Sequence, residues 1–217
     1  MVPEHTGTGL PSSPPATGGD DNEAVAAARA GDAVAFNRLV LRYQDAVYTL
    51  CFRLTGNAED AADAAQEAFL SAYQHLDGFR GGAFRSWLLR IAANASYDLL
   101  RQRKRRPAAS LDRPAREEDD APGPALDVPD PAIGPEGQAL RAEFDRLVQA
   151  GLLELPEDQR LAVVLCDIYE FDYATIAATT GVELGTVKSR INRGRRRLRD
   201  YLLAHREPGT VAHRPSS

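Results

Sequence analysis

Apolar residues recur at the three- and four-residue spacing of amphipathic helices in two separate stretches of the chain. In the first, Phe36, Leu39, Val40, Tyr43, Val47, Leu50 and Leu54 set the period. Breaks at Gly31-Asp32, at Thr55-Gly56-Asn57 and across residues 77–82 divide it into predicted helices near 22–30, 33–54, 58–76 and 84–105. In the second, a predicted helix near 137–153 precedes one opened by Leu155-Pro156-Glu157-Asp158, where a proline in the first turn and two acids at the positive end of the helix dipole mark a start. A short helix near Tyr173 then carries Ile176 and Ala177 inward, breaks at Gly181-Val182 and restarts at Gly185-Thr186, with Val187 and Ile191 on its inner face. That is helix-turn-helix spacing. Gly181 permits the left-handed turn, and Thr186 is expected to cap the amides of the new helix.

The predicted fold class is therefore all-α, with two small helical domains over 21–106 and 137–204. Between them, residues 107–136 hold seven prolines and eight acids against two arginines, the composition of an extended acidic linker. Residues 1–20 and 205–217 are expected to be disordered tails, having too few large apolar side chains to offset the entropy of ordering. At 217 residues and 43% apolar content, two modest cores fit better than one large one. No apolar run approaches the roughly 18 residues that span a bilayer, and the N-terminus lacks a basic start and apolar core. The expected location is the cytoplasm.

The net charge of −5 hides a segregation into blocks. From Lys188 to Arg199 there are seven basic residues and no acid, so the last helix can lie in a major groove and neutralise phosphates. Between Leu54 and Phe79 the reverse holds: Glu59, Asp60, Asp63, Glu67 and Asp77 occur without a lysine or arginine. Like charges stacked on one helix face cost a little stability, and a basic protein partner would account for them. From Arg85 to Arg106 seven bases face one acid, Asp98, and Phe79, Phe84, Trp87 and Tyr97 interleave with them. Cations that follow phosphates, combined with rings that hold unstacked bases, suit single-stranded nucleic acid. Phe79 and Phe84 adjoin glycines and are expected to be exposed, whereas Trp87, flanked by Leu88 and Ile91, is equally a core residue. Asn94 can read a base edge or make a structural hydrogen bond.

Catalytic chemistry is not indicated. His5, His75, His205 and His213 are scattered, and no nucleophile stands beside a base. Cys51 and Cys166 sit in apolar helical patterns without metal-ligand spacing, as expected of buried, reduced thiols. No cofactor or metal site is expected.

Taken together, these motifs resemble the sigma-70 family of bacterial RNA polymerase initiation factors, and within it the two-domain extracytoplasmic-function (ECF) group associated with stress responses. The run AEDAADAAQEAFLSAYQHL is similar to region 2.2, FRGGAFRSWLLRIAANASYDLLR to regions 2.3 and 2.4, and 155–198 to region 4. The resemblance implies core polymerase contacts at Asp60, Asp63, Gln66, Glu67 and Phe69. It implies capture of the melted −10 strand by Phe79, Arg80, Phe84, Arg85, Trp87, Asn94 and Arg101. Readout of the −35 element falls on Thr186, Lys188, Ser189, Asn192 and Arg193, with Arg190 and Arg195 on phosphates. It also implies an anti-sigma factor as a partner and a linker threading a basic channel of the polymerase. Two departures stand out: Tyr173-Ala174-Thr175-Ile176 lacks the acid common at that turn, and Asn192 replaces a frequent His or Phe. An alternative on the same residues is a stand-alone helix-turn-helix regulator that binds duplex DNA unaided. It leaves the acidic helix and the aromatic-basic helix without a role.

Overall fold

The computed structural model describes residues 18–105 and 134–205, and the described residues form helices and no strands. Helices α1 (Gly18–Arg29), α2 (Ala33–Thr55), α3 (Ala58–Gln74) and α4 (Phe84–Arg105) make the first domain. Helices α5 (Pro135–Leu153), α6 (Glu157–Val163), α7 (Tyr173–Thr180) and α8 (Leu184–Ala204) make the second. The expected linker and tails lie almost wholly outside the described residues, and the channel-threading role implied for the linker falls with them.

The helix boundaries have local causes. Asp32 starts α2, its carboxylate accepting from the amides of Val34 (2.9 Å) and Ala35 (3.1 Å). Gly56 ends α2 in the left-handed region at φ +71, its amide donating to the Phe52 carbonyl. Asn57 then caps α3 by accepting from the Asp60 amide at 3.0 Å. On α3, Ala61, Ala64, Ala65, Ala68 and Ala72 form a buried stripe of small side chains, so α2 and α4 can close on it from either side. Leu39, Val47, Leu50 and Leu54 of α2 and Leu88, Leu89, Ala92 and Ala93 of α4 fill the space between. Each large side chain buried here contributes about 1.5–3 kcal/mol against exposure. Helix α1 is seated by buried Ala24, Val25 and Ala28, and by the Asp21 carboxylate, which accepts from Arg42 at 2.6 Å and from the Tyr43 hydroxyl.

In the second domain α6 widens at Val164–Ile168 into a π-type turn, and Glu170 follows at φ +57, which redirects the chain toward α7. Asp172 caps α7 by accepting from the Thr175 amide at 2.7 Å. The reversal into α8 uses Gly181 at φ +67, with the amides of Gly181 and Val182 both donating to the Ala177 carbonyl. Ile176, Val187 and Ile191 are buried between the two helices, as the spacing predicts. Thr186 does not cap α8. The N-cap position is Glu183, without a side-chain cap, and Thr186 lies in the first turn with its own amide donating to the Glu183 carbonyl.

The two domains pack against one another. The Gln149 side-chain amide of α5 donates to the Phe52 carbonyl of α2 at 3.3 Å, and the Leu153 side chain lies over Gly56 so closely that a Cβ there would stand 2.2 Å from it. Arg53, only 2% exposed, lies at this junction near Tyr169 and Asp145. Burial pulls its guanidinium below the ordinary arginine pKa, and those two groups oppose the pull.

Candidate nucleic-acid interface

The outward surface of α8 carries the charge that the sequence places there. Lys188, Asn192, Arg193, Arg196 and Arg197 are exposed, opposite the buried Val187, Ile191 and Gly194. Gly194 sets the packing distance: a Cβ there would meet Val163 Cγ2 at 2.6 Å and the Gln159 carbonyl oxygen at 3.2 Å, so α8 lies against α6 only because this position has no side chain. Arg193 is held in place by its own helix. Its guanidinium donates to Ser189 Oγ at 2.9 Å and to the Ser189 carbonyl at 3.2 Å, while the Ser189 hydroxyl donates to the Thr186 carbonyl. Ser189 thus orients a neighbouring arginine and is itself only half-exposed.

Two arginines of this helix are engaged within the protein. Arg190 is mostly buried, at 18% exposure, and pairs with Asp158 at 3.0 Å, which ties α8 to the start of α6. Arg195 forms a fork on Asp167, with donor distances of 2.9 and 2.5 Å, beside the half-buried Cys166. The expectation of a buried thiol holds for Cys51 but not for Cys166, because the widened turn at the end of α6 brings it toward the surface. The pairing of Asp158 and Asp167 with these arginines was not legible in the sequence, because each lies about thirty residues from its partner.

On α3, Asp63, Gln66 and Glu67 are exposed and Phe69 is half-buried, with Leu70 and Tyr73 exposed on the same helix. Asp60 differs. It is 4% exposed and ion-paired with Arg103 of α4, so it holds the two helices together rather than facing a partner.

The aromatic cluster at the start of α4 also departs from expectation. Phe79 and Phe84 are buried, at 3% and 1% exposure, and not displayed beside the glycines. Positive φ at Gly81 (+90) and Gly82 (+91) folds the loop back so that both rings turn inward. Phe79, Phe84 and Trp87 form a mutual cluster with ring centroids 5.5 Å apart, extended by Tyr43 5.8 Å from Phe84. Trp87 rests half-exposed on this support, with Arg80, Arg85 and Arg90 exposed around it. Arg90 was not singled out in the sequence, although it follows Trp87 by one helical turn.

Asn94 is exposed but lines a different depression, the groove between α3 and α4, together with Asp63, Glu67 and Asp98. Arg101 stacks over the Tyr97 ring at 5.6 Å. Across from Trp87 stands the second domain. Glu170, Phe171, Asp172 and Thr175 form the far wall of a cleft of about 450 Å³ whose near wall holds Arg80, Trp87 and Arg90. Among the described residues no helix is long and apolar enough to cross a membrane.

Residues 39–106 match the family model described as Sigma-70 region 2, and residues 145–198 that described as Sigma-70, region 4. The ECF RNA polymerase sigma factor SigE of Mycolicibacterium smegmatis is 42% identical over 78% of this chain and 62% of its own length. SigW of Bacillus subtilis, also described as an ECF RNA polymerase sigma factor, is 37% identical over 79% of this chain and 91% of its own length. The ECF RNA polymerase sigma-E factor of Escherichia coli K12 is 39% identical over 76% of this chain and 85% of its own. Thus the chain spans less than two thirds of the first relative and most of the other two. Among solved structures, CnrH in complex with the cytosolic domain of CnrY is 27% identical, with a TM-score of 0.55 over 86% of this chain and 99% of that one. The sigma factor RpoE in complex with the anti-sigma factor NepR from Bartonella quintana is 25% identical, with a TM-score of 0.55 over 79% and 98%.

Proposed function

This chain belongs to the sigma-70 family and to its ECF group, and from that premise we propose how its parts divide the work of transcription initiation. It is a sigma factor that binds core RNA polymerase, directs it to promoters and stabilises the opened DNA. The carrying observation is that both family regions occur on one chain in order, each with its own exposed surface of matching chemistry.

The outward face of α3, with Asp63, Gln66 and Glu67 beside the exposed Leu70, is the polymerase-binding surface: carboxylates for a basic partner, with an apolar strip for contact. Around Trp87, the cations Arg80, Arg85 and Arg90 follow the phosphates of the displaced −10 strand while the half-exposed ring receives an unstacked base. Unstacking costs a few kcal/mol per base and stacking on a side chain returns about 1–3, so polymerase must supply the remainder. Phe79 and Phe84 serve as the base of that platform. On α8, Lys188, Asn192 and the Ser189-oriented Arg193 read −35 base edges. Arg190 braces α8, and Arg195 reaches a phosphate on exchanging its Asp167 partner.

The chain acts by binding, performs no covalent step, and works in the cytoplasm where polymerase and promoters are. Two solved neighbours are in complex with the cytosolic domain of CnrY and with the anti-sigma factor NepR, which supports restraint of this chain by an anti-sigma protein. Run-off transcription with core polymerase tests the assignment. Promoter-specific transcripts are expected only when both are present. Specific binding to duplex promoter DNA by the chain alone, with no effect of polymerase, would favour the stand-alone regulator.

A further inference from the structure

Arg29 closes α1, ahead of residue 39, where the family match begins, and no motif in the sequence includes it. Its guanidinium spans α1 and the loop that leads to α4. Nε and Nη2 donate to the Leu76 carbonyl at 3.1 and 2.7 Å, and Nη2 also donates to the Phe79 carbonyl. The Asp77 carboxylate lies 3.8 Å away and is almost fully exposed, so it adds little to the arrangement.

Those two carbonyls bracket the 3-10 turn at Leu76–Gly78, where α3 has ended and the strand-receiving loop begins. Beyond Phe79 the loop has few fixed points. Gly81 and Gly82 have nothing within 4 Å of a hypothetical Cβ, and Arg80 is exposed. Phe79, by contrast, packs its ring against Phe84 and Trp87. The position of its backbone therefore sets the height and tilt of the Trp87 platform. Helix α1 is a firm base for such a clamp, because Asp21 fastens it to Arg42 and Tyr43 of α2.

We propose that Arg29 is a positioning residue for promoter-strand capture: it pins the Leu76 and Phe79 carbonyls and so holds Arg80 and Trp87 in the geometry that receives the strand. This rests on the reading of residues 79–87 as the strand-receiving element. A planar fork is required, since one donor group must serve two carbonyls on successive parts of the chain. Arginine supplies that fork and lysine does not.

The test uses the full chain reconstituted with core RNA polymerase. Three affinities are measured for the wild type, Arg29→Ala and Arg29→Lys: for core polymerase, for a −35-only duplex, and for a fluorescent single strand carrying the non-template −10 sequence of a promoter the wild type transcribes. In Arg29→Ala, strand affinity is expected to fall about tenfold or more while the other two stay within about twofold, with lysine recovering part of the loss. Circular dichroism is recorded at the assay temperature. Strand capture by Arg29→Ala at wild-type affinity overturns the proposal. So does a parallel fall of all three affinities with the folded fraction, which would make Arg29 a general structural residue. A wild-type holoenzyme that retains no single strand overturns the strand-receiving assignment itself, and is distinguished from the first two results by the wild-type control alone.

Discussion

Three positions separate Asp60 from Asp63 on α3, yet one carboxylate is enclosed against Arg103 and the other faces solvent. Removing the Asp60 charge leaves Arg103 without its partner. Because Arg103 is itself 42% exposed, water screens the loss, and Asp60→Asn is expected to cost about 1–2 kcal/mol in urea unfolding, below the cost of breaking a fully buried pair. Asp63→Lys with Glu67→Lys should instead leave the unfolding midpoint nearly unchanged and abolish binding to core polymerase. A double variant that still assembles at wild-type affinity would move the polymerase surface off α3. Buried titratable groups give a second residue-scale expectation. Burial pushes the Cys51 thiol up to about 11 and the Tyr169 hydroxyl up to about 12. The folded protein holds these protons more tightly than the unfolded chain does, so their contribution to stability is complete below about pH 9 and is lost as pH rises through 11 to 12. The urea midpoint should decline across that window, and Tyr169→Phe should remove part of the decline. If the variant's midpoint fell as steeply as the wild type's, the phenol would not be buried in solution.

At the scale of the element, α8, the proposed reader, depends on where it lacks atoms as much as on where it carries charge. Gly194 stands in the middle of a basic run, and its missing side chain lets α8 rest on Val163 and the Gln159 carbonyl of α6. Gly194→Ala is expected to overpack that contact and destabilise the second domain by about 1–3 kcal/mol, weakening −35 binding as α8 is displaced. Gly185→Ala makes a sharp control: it lies in the first turn of the same helix with open space around it, and should be neutral or raise the melting temperature. Equal melting temperatures for the two variants would rule out close packing at Gly194. The helix-turn-helix was legible in the sequence because its parts are local: the glycine that permits the turn and the apolar residues that face inward lie within one short segment. The absence of a cap at Thr186 was not legible, because helix initiation two residues earlier, at Leu184, depends on how Val187 and Ile191 dock.

For the whole molecule, the junction of the two domains has the greatest consequence. Leu153 over Gly56, the Gln149 bond to the Phe52 carbonyl and the enclosed Arg53 hold the second domain so that Glu170 and Asp172 face the side of Trp87. Under the proposed strand-capture role of Trp87, these acids occupy the ground that a DNA strand would take. Leu153→Arg should separate the domains without unfolding either, seen as a larger radius of gyration in small-angle X-ray scattering with an unchanged helical circular dichroism signal. An unchanged radius would mean that the junction does not hold the chain closed in solution.

The helices, their order, the helix-turn-helix and the charge blocks follow from the sequence by itself, because each rests on interactions within a few residues: periodicity, caps, glycine turns and like charges in series. What the tertiary structure alone decided is which of the marked side chains face outward. Asp60, Phe79, Phe84, Arg190 and Arg195 have the composition of a binding surface, yet each is drawn toward a partner on another segment: Arg103, Trp87, Tyr43, Asp158 and Asp167 respectively. Arg29 shows the converse, a residue with no local mark that acquires its place from carbonyls almost fifty positions away. Burial and pairing depend on distances across the fold, and sequence spacing records only distances along the chain.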